Sequence, residues 1–166
     1  GSVTACQIGG GGSTAASHGS LTEQFNGTSW TEVGDLNFGR WRCAGSGTST
    51  AALVCGDANA PEADKTETWN GTSWTAAADL NTGGYSMAGA GTQTASWVVG
   101  GTAGRTVETE HFNGTSWTEL AAIGAPMEGP FGAGTTTLGL AGGGYPPSTT
   151  TYEWALADAT KTFTAS

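Results

Sequence analysis

The stretch Asn70-Gly71-Thr72-Ser73-Trp74 decides the fold, because the chain carries it three times, again as Asn26–Trp30 and as Asn113–Trp117. The intervals are 44 and 43 residues. A second string keeps step with it at the same two intervals: Ala44-Gly45-Ser46-Gly47-Thr48, Ala88-Gly89-Ala90-Gly91-Thr92 and Phe131-Gly132-Ala133-Gly134-Thr135. Beyond each of these a short apolar run ends in glycine, at Leu53–Gly56, Trp97–Gly100 and Leu140–Gly143. Both ends of the chain join the pattern. Cys6–Gly10 aligns with Trp97–Gly101, and Thr162–Thr164 aligns with Ser29–Thr31. The whole chain is read as one domain of four repeats, approximately 1–35, 36–79, 80–122 and 123–166.

Each repeat reads as four short strands. In the third they are Tyr85–Gly91, Ala95–Val99, Val107–Phe112 and Thr115–Glu119. Asn-Gly joins the last two, and this pair tolerates the positive φ angles of a type I′ hairpin turn. No apolar period of 3.6 residues persists beyond two turns, so helices are not expected. Four-stranded units at this spacing are the signature of a β-propeller. The expected fold is therefore all-β, a propeller of four-stranded blades. The small residues of the Ala-Gly-x-Gly-Thr string suit the crowded inner strand. The aromatic pairs Phe25/Trp30, Trp69/Trp74, Phe112/Trp117 and Trp154/Phe163 would fill the space between blades. Strands in chain order number 15, one short of four blades. Two readings follow: a four-bladed ring with one blade incomplete or completed by strand exchange, or a segment of a larger ring. The four-bladed ring is preferred because both termini fall in the same blade. An incomplete blade exposes a sheet edge open to self-association.

Composition narrows the function. Among 166 residues there are 29 Gly and 28 Thr, but only 5 Lys and Arg against 14 Asp and Glu, for a net charge of −9. So few scattered cations cannot form a nucleic-acid surface, which needs clustered Lys and Arg to displace counterions. No run approaches the roughly 18 apolar residues that span a bilayer, so no membrane segment is expected. The start shows no basic region followed by an apolar one, so no signal peptide is visible. Seven Trp argue against disorder.

The repeats resemble kelch-type blades, which carry a Gly-Gly pair at the end of the second strand and a Trp in the fourth. Gly9-Gly10, Gly100-Gly101 and Gly143-Gly144 match the doublet, and Gly56-Asp57 departs from it. Trp30, Trp74 and Trp117 match the Trp, with Phe163 in the last repeat. The wording at Thr72–Thr75, Asp79–Asn81 and Ala88–Ala95 also resembles kelch-like repeats in structural proteins of tailed bacteriophages. That resemblance implies a module on a virion or extracellular surface. Its partners would be virion proteins or a host-surface glycan.

Candidate chemistry is sparse. Trp41 and Tyr85 occupy equivalent positions ahead of the inner strand, where a ring could stack on a sugar or pack within the loop itself. Tyr145, in Tyr-Pro-Pro, is a third candidate for ligand binding. Glu128 stands at the third position equivalent to Trp41, which weakens the idea of repeated lectin sites. Asn26, Gly27, Trp30, Asn70, Gly71, Trp74, Asn113, Gly114, Trp117, Gly100 and Gly101 are read as structural. Glu23, Glu67 and Glu110 recur at one strand position, where Tyr152 stands in the last repeat. They are read as solvated or loop-bonded rather than as Ca²⁺ ligands, since blades separate them. Asp35 and Asp79, in Asp-Leu-Asn, are read as turn formers.

His18 and His111 share no context, and no zinc-type spacing occurs. No metal or cofactor is expected. Cys43 and Cys55 lie on adjacent expected strands, where a disulfide is geometrically conceivable, but Met87 and Val99 at the equivalent positions favour core thiols. The hairpin explains Asn-Gly-Thr without glycosylation. No nucleophile elbow or paired glycosidase carboxylates appear. The reading is a non-catalytic propeller that displays loops, with a carbohydrate-binding propeller lectin as the alternative. An enzyme of oxidase or sialidase type ranks below both.

Overall fold

Each Asn-Gly turn folds around its own asparagine side chain. Asn26 Oδ1 accepts the amides of Thr28 and Ser29 at 2.9 and 3.1 Å. Asn70 and Asn113 each accept the corresponding pair at 2.9 Å. Among the residues of these turns only Gly27, Gly71 and Gly114 have positive φ, at 99°, 96° and 94°. The turn is thus a four-residue, Asn-capped loop, not the expected type I′ turn, which needs two left-handed residues. The side-chain carbonyl satisfies two amides, so a second left-handed residue is unnecessary. The same bonds occupy the amides of Thr115 and Ser116, and the strand expected from Thr115 begins at Trp117 instead.

The computed structural model describes residues 5–12, 19–58, 61–102, 107–145, 147, 149–157 and 160–165. His18, parts of the connections between second and third strands, and the side chains of Trp154 and Phe163 lie outside the described set. Among the described residues fifteen strands form four antiparallel sheets in which every neighbour is consecutive in the chain. Sheet 1 holds β1 (Cys6–Gly9), β2 (Thr22–Phe25) and β3 (Trp30–Glu32). Sheet 2 holds β4 (Ala44–Thr48), β5 (Ala51–Cys55), β6 (Thr66–Trp69) and β7 (Trp74–Ala76). Sheet 3 holds β8 (Ala88–Thr92), β9 (Ala95–Val99), β10 (Thr109–Phe112) and β11 (Trp117–Glu119). Sheet 4 holds β12 (Phe131–Gly134), β13 (Leu138–Gly142), β14 (Thr151–Ala157) and β15 (Thr160–Ala165). One 3₁₀ turn, Glu62–Asp64, is the sole helical element among the described residues, and no helix there is long and apolar enough to cross a membrane. The fold is all-β and repeating, in an arrangement that fits a propeller-like or sandwich fold.

Pairing corrects the alignment of the first repeat by one residue. Gly10 N–H donates to Leu21 O as Gly56 does to Lys65 O and Gly100 to Glu108 O. The doublet equivalent to Gly100-Gly101 is therefore Gly10-Gly11, not Gly9-Gly10. Strand bounds also shift. The repeat pattern opens the first strand of the third repeat at Tyr85, but Ser86 is left-handed, at φ 55°, and β8 begins at Ala88.

The small-residue string works by close approach. β8 packs against both β4 and β12. A Cβ on Gly132 would stand 2.9 Å from Ala88 Cβ and 3.1 Å from Gly89 N, closer than side chains tolerate. Ring centroids lie 5.3 Å apart in Phe25/Trp30, 5.4 Å in Trp69/Trp74 and 5.1 Å in Phe112/Trp117. The second and third pairs are buried as expected, whereas Trp30 is 46% exposed and fills no such space. Two Trp also reach into the preceding sheet: Trp74 Nε1 donates to Thr22 Oγ1 at 3.0 Å and Trp117 Nε1 to Thr66 Oγ1 at 3.1 Å. The next hydroxyl in this series, Thr109 Oγ1, is buried with no partner among the described residues, and the chain carries Phe163 at the corresponding register position of β15.

Two of the three connections between sheets are fastened by carboxylates. Glu67 in β6 is fully buried and accepts from the connection between β3 and β4. Asn37 N and Nδ2 donate to its Oε2 at 2.8 and 2.6 Å, and Phe38 N donates to Oε1 at 3.3 Å. Arg40, also fully buried, pairs with Glu67 Oε1 at 2.9 Å and donates to the carbonyls of Gly56 and Lys65. Glu110 in β10 repeats the device with Asn81 N and Nδ2 at 2.9 Å and Thr82 N at 3.2 Å. Of the two sequence readings for these residues, loop-bonded holds for Glu67 and Glu110, while Glu23 is exposed. At the last junction Gly124 lies against the Tyr152 ring instead. A buried apolar residue anchors each connection beside the carboxylate, namely Leu36, Leu80 and Ile123.

Glu110→Ala strands the amides of Asn81 and Thr82 and is expected to cost about 3 kcal/mol. Glu67→Ala also leaves Arg40 buried and uncompensated, at roughly 3–5 kcal/mol. Trp74→Phe and Trp117→Phe lose the bond to Thr and leave a small cavity where the larger indole stood, about 2 kcal/mol each. Urea unfolding midpoints check this order.

Candidate functional site

The residues singled out for binding gather at the end of the sheets that carries the turns after β5, β9 and β13. Each of the dipeptides Trp41-Arg42, Tyr85-Ser86 and Glu128-Gly129 precedes the first strand of its sheet, β4, β8 and β12 respectively. Each is tied to the turn of its own sheet: Ala58 N–H donates to Trp41 O at 3.0 Å, Thr102 N–H to Tyr85 O at 3.0 Å, and Glu128 and Tyr145 exchange backbone bonds at 2.9 and 2.8 Å. The second residues bond to one another across the sheets. Ser86 N–H donates to Arg42 O and Gly129 N–H to Ser86 O, both at 2.8 Å. The equivalence of Trp41, Tyr85 and Glu128 expected from the repeat is thus physical.

This ladder is built from left-handed residues. Arg42, Ser86 and Gly129 have φ of 59°, 55° and 62°. A side chain at such a φ costs on the order of 1–2 kcal/mol per residue, and only Gly129 escapes it. Strained non-glycine backbone of this kind concentrates at functional surfaces.

Around the ladder the side chains form a mixed aromatic and charged patch. The Arg42 guanidinium carbon lies 4.6 Å from the Trp41 ring centroid, in cation–π contact. Arg42 Nη1 is 3.6 Å from Glu128 Oε1, a solvent-exposed pair worth at most about 1 kcal/mol. Asp57 Oδ1 accepts the amides of Trp41 and Ala58 at 2.7 and 2.8 Å, which holds the Trp41 backbone in place. Tyr145 is 68% exposed and joins the patch through its backbone pairing with Glu128. Trp41 and Tyr145 therefore share one surface, with Tyr85 on the ladder between their sheets. Arg42 covers part of the Trp41 ring, a feature the sequence reading missed. Gly129, at the equivalent position, was the one signal that a left-handed residue belongs there.

Other chemistry is dispersed. Among the described residues, no three His, Cys, Asp or Glu side chains are grouped to hold a metal ion. Cys6, Cys43 and Cys55 are thiols rather than halves of a disulfide. Burial pushes the Cys43 thiol above its usual value of 9.0, with the Arg40 charge partly opposing. A cavity of about 620 Å³ lies away from the patch, among β1, β4, β8 and β12, and none of Trp41, Tyr85 and Tyr145 lines it. No protein-family model matches the chain, and no curated protein matches it.

A methyl group added at Gly129 would meet no atom within 4 Å, so Gly129→Ala should cost only the backbone term, about 1–2 kcal/mol by chemical denaturation. The Cys43 thiol holds its proton to higher pH when folded than when unfolded. Its contribution to stability is complete below pH 9.0 and is lost as pH rises through the folded value. Cys43→Ala should flatten the fall in melting temperature above pH 9.0 relative to the parent chain.

Proposed function

We propose that this chain is a non-catalytic binding module, a kelch-like four-bladed propeller that presents the Trp41–Arg42–Glu128–Tyr145 patch to a partner. The carrying observation is the hydrogen-bonded ladder beneath the patch, which keeps Arg42 and Ser86 in a costly conformation. A surface that existed only for packing would place glycine at all three steps, as it does at Gly129. The partner is a host-surface glycan or a virion protein, in keeping with the resemblance of the repeats to bacteriophage structural proteins. An exposed aromatic face beside a paired Arg and Glu suits the stacked rings and hydroxyls of a sugar. The setting is a virion or other extracellular surface.

A lectin with several equivalent sites is the second reading. The matching positions of Trp41 and Tyr85 favour it, and Glu128 at the third step of the ladder counts against a fully repeated pocket.

Glycan-array binding tests the patch. Trp41→Ala and Tyr145→Ala should each weaken binding about tenfold or more, the loss of one stacking or anchor contact. Binding that both variants leave intact would refute the assignment. Loss with Tyr85→Ala equal to that with Trp41→Ala would favour the lectin with repeated sites.

A further inference from the structure

Three observations in sheet 1 point to one missing neighbour. The first concerns the carboxylate device. Glu67 and Glu110 are buried on the Asn of a preceding Asp-Leu-Asn, whereas the repeat that lacks Asp-Leu-Asn, at Ala122-Ile123-Gly124, is followed by Tyr152. At these three junctions glutamate and Asp-Leu-Asn occur together or not at all. Glu23 keeps the glutamate and stands exposed.

The second is the edge of the sheet. β1 ends the order β1-β2-β3, in the position of β5 and β9, with no inner strand beyond it among the described residues. Ile8, which pairs opposite Glu23, is 53% exposed, against 6% and 2% for Val54 and Val98, which pair opposite Glu67 and Glu110. The third is the cavity of about 620 Å³ between β1 and the Gly- and Ala-rich strands β4, β8 and β12. Gln7 borders it, and its Oε1 and Nε2 are buried with no partner among the described residues.

We infer that β1 and Glu23 form a docking site for an extended polypeptide segment of this repeat's own type, carrying Asp-Leu-Asn followed by Ala-Gly-x-Gly-Thr. The small-residue stretch adds to β1 as an antiparallel strand, the β-augmentation mode of peptide capture. It lies in the cavity, which only residues without bulky side chains can enter so close to β4 and β12. The Asn amides donate to the Glu23 carboxylate as Asn37 does to Glu67, and these charge-assisted bonds set the register. Larger or charged strands are rejected by the walls. This surface is distinct from the Trp41 patch, and its occupancy does not depend on that patch.

The probe is a 14-residue peptide with the sequence of Asp79–Thr92, titrated calorimetrically into the intact chain. The expected result is one peptide per chain, with binding at least about tenfold weaker to Glu23→Gln, since a charged acceptor is lost. The same peptide with Ala in place of its Asn should bind as weakly. In parallel, the same 14 residues joined ahead of Gly1 should raise the melting temperature, and Glu23→Gln should remove the gain. Either response, if sensitive to Glu23, supports the site. Failure of both, or responses indifferent to Glu23, overturns it. A stable dimer of the chain that the peptide does not displace also overturns it, by making a second copy the occupant. Glycan binding by the patch is measured separately and stands or falls on its own.

Discussion

The architecture depends on buried carboxylates that hold two of the three connections between sheets. A strand of four residues and its short neighbours bury too little apolar surface to fix one sheet against the next. Glu67 supplies what the strands lack. It takes three donors from the connection ahead of it and neutralises Arg40, which in turn caps two carbonyls of sheet 2. Once that connection is held, Leu36 is seated, Arg40 aligns the backbone before β4, and Trp41-Arg42 follows in its left-handed step. The surface patch is thus the far end of a chain of constraints that begins at a carboxylate inside a sheet.

Much of this was legible in the residues, and the parts that were not have identifiable causes. Spacing revealed the four sheets, because a motif repeating every 43 or 44 residues requires a repeated unit. The carboxylate was half visible. Thr-Glu and Asp-Leu-Asn both recur, but Asp drew attention as the turn former. The bonding falls to Asn37 and Asn81, while Asp79 pairs with Lys65 at the surface. Arg40 has no counterpart in the other repeats, so a periodic reading passes over it. The first glycine doublet was misplaced by one because the run Gly9–Gly12 offers several registers, and only ladder pairing with Leu21 selects Gly10.

The candidate site shows a similar division. That Trp41 and Tyr85 are equivalent follows from counting, and the pairing across sheets agrees. The cost of Arg42 and Ser86 could not be counted, because φ is a property of tertiary context and most left-handed positions are glycine. Its trace in the residues is the mismatch at one step, where Gly129 shows what the backbone prefers and the other two repeats decline it.

Because each junction is fastened differently, the molecule should not open everywhere at once. Among the described residues the first junction has a buried ion pair, an Asn and the Trp74–Thr22 bond, the second an Asn and the Trp117–Thr66 bond without an ion pair, and the third a tyrosine ring over Gly124 and the Trp97–Thr135 bond with neither carboxylate nor ion pair. In stacked repeats, cooperativity rests on nearest-neighbour coupling. Unequal couplings make the array a graded series of local opening units, loosest at sheet 4 and tightest between sheets 1 and 2. Mechanical or thermal stress would then be taken up by one end of the array first, leaving the junction beneath Trp41 the last to part.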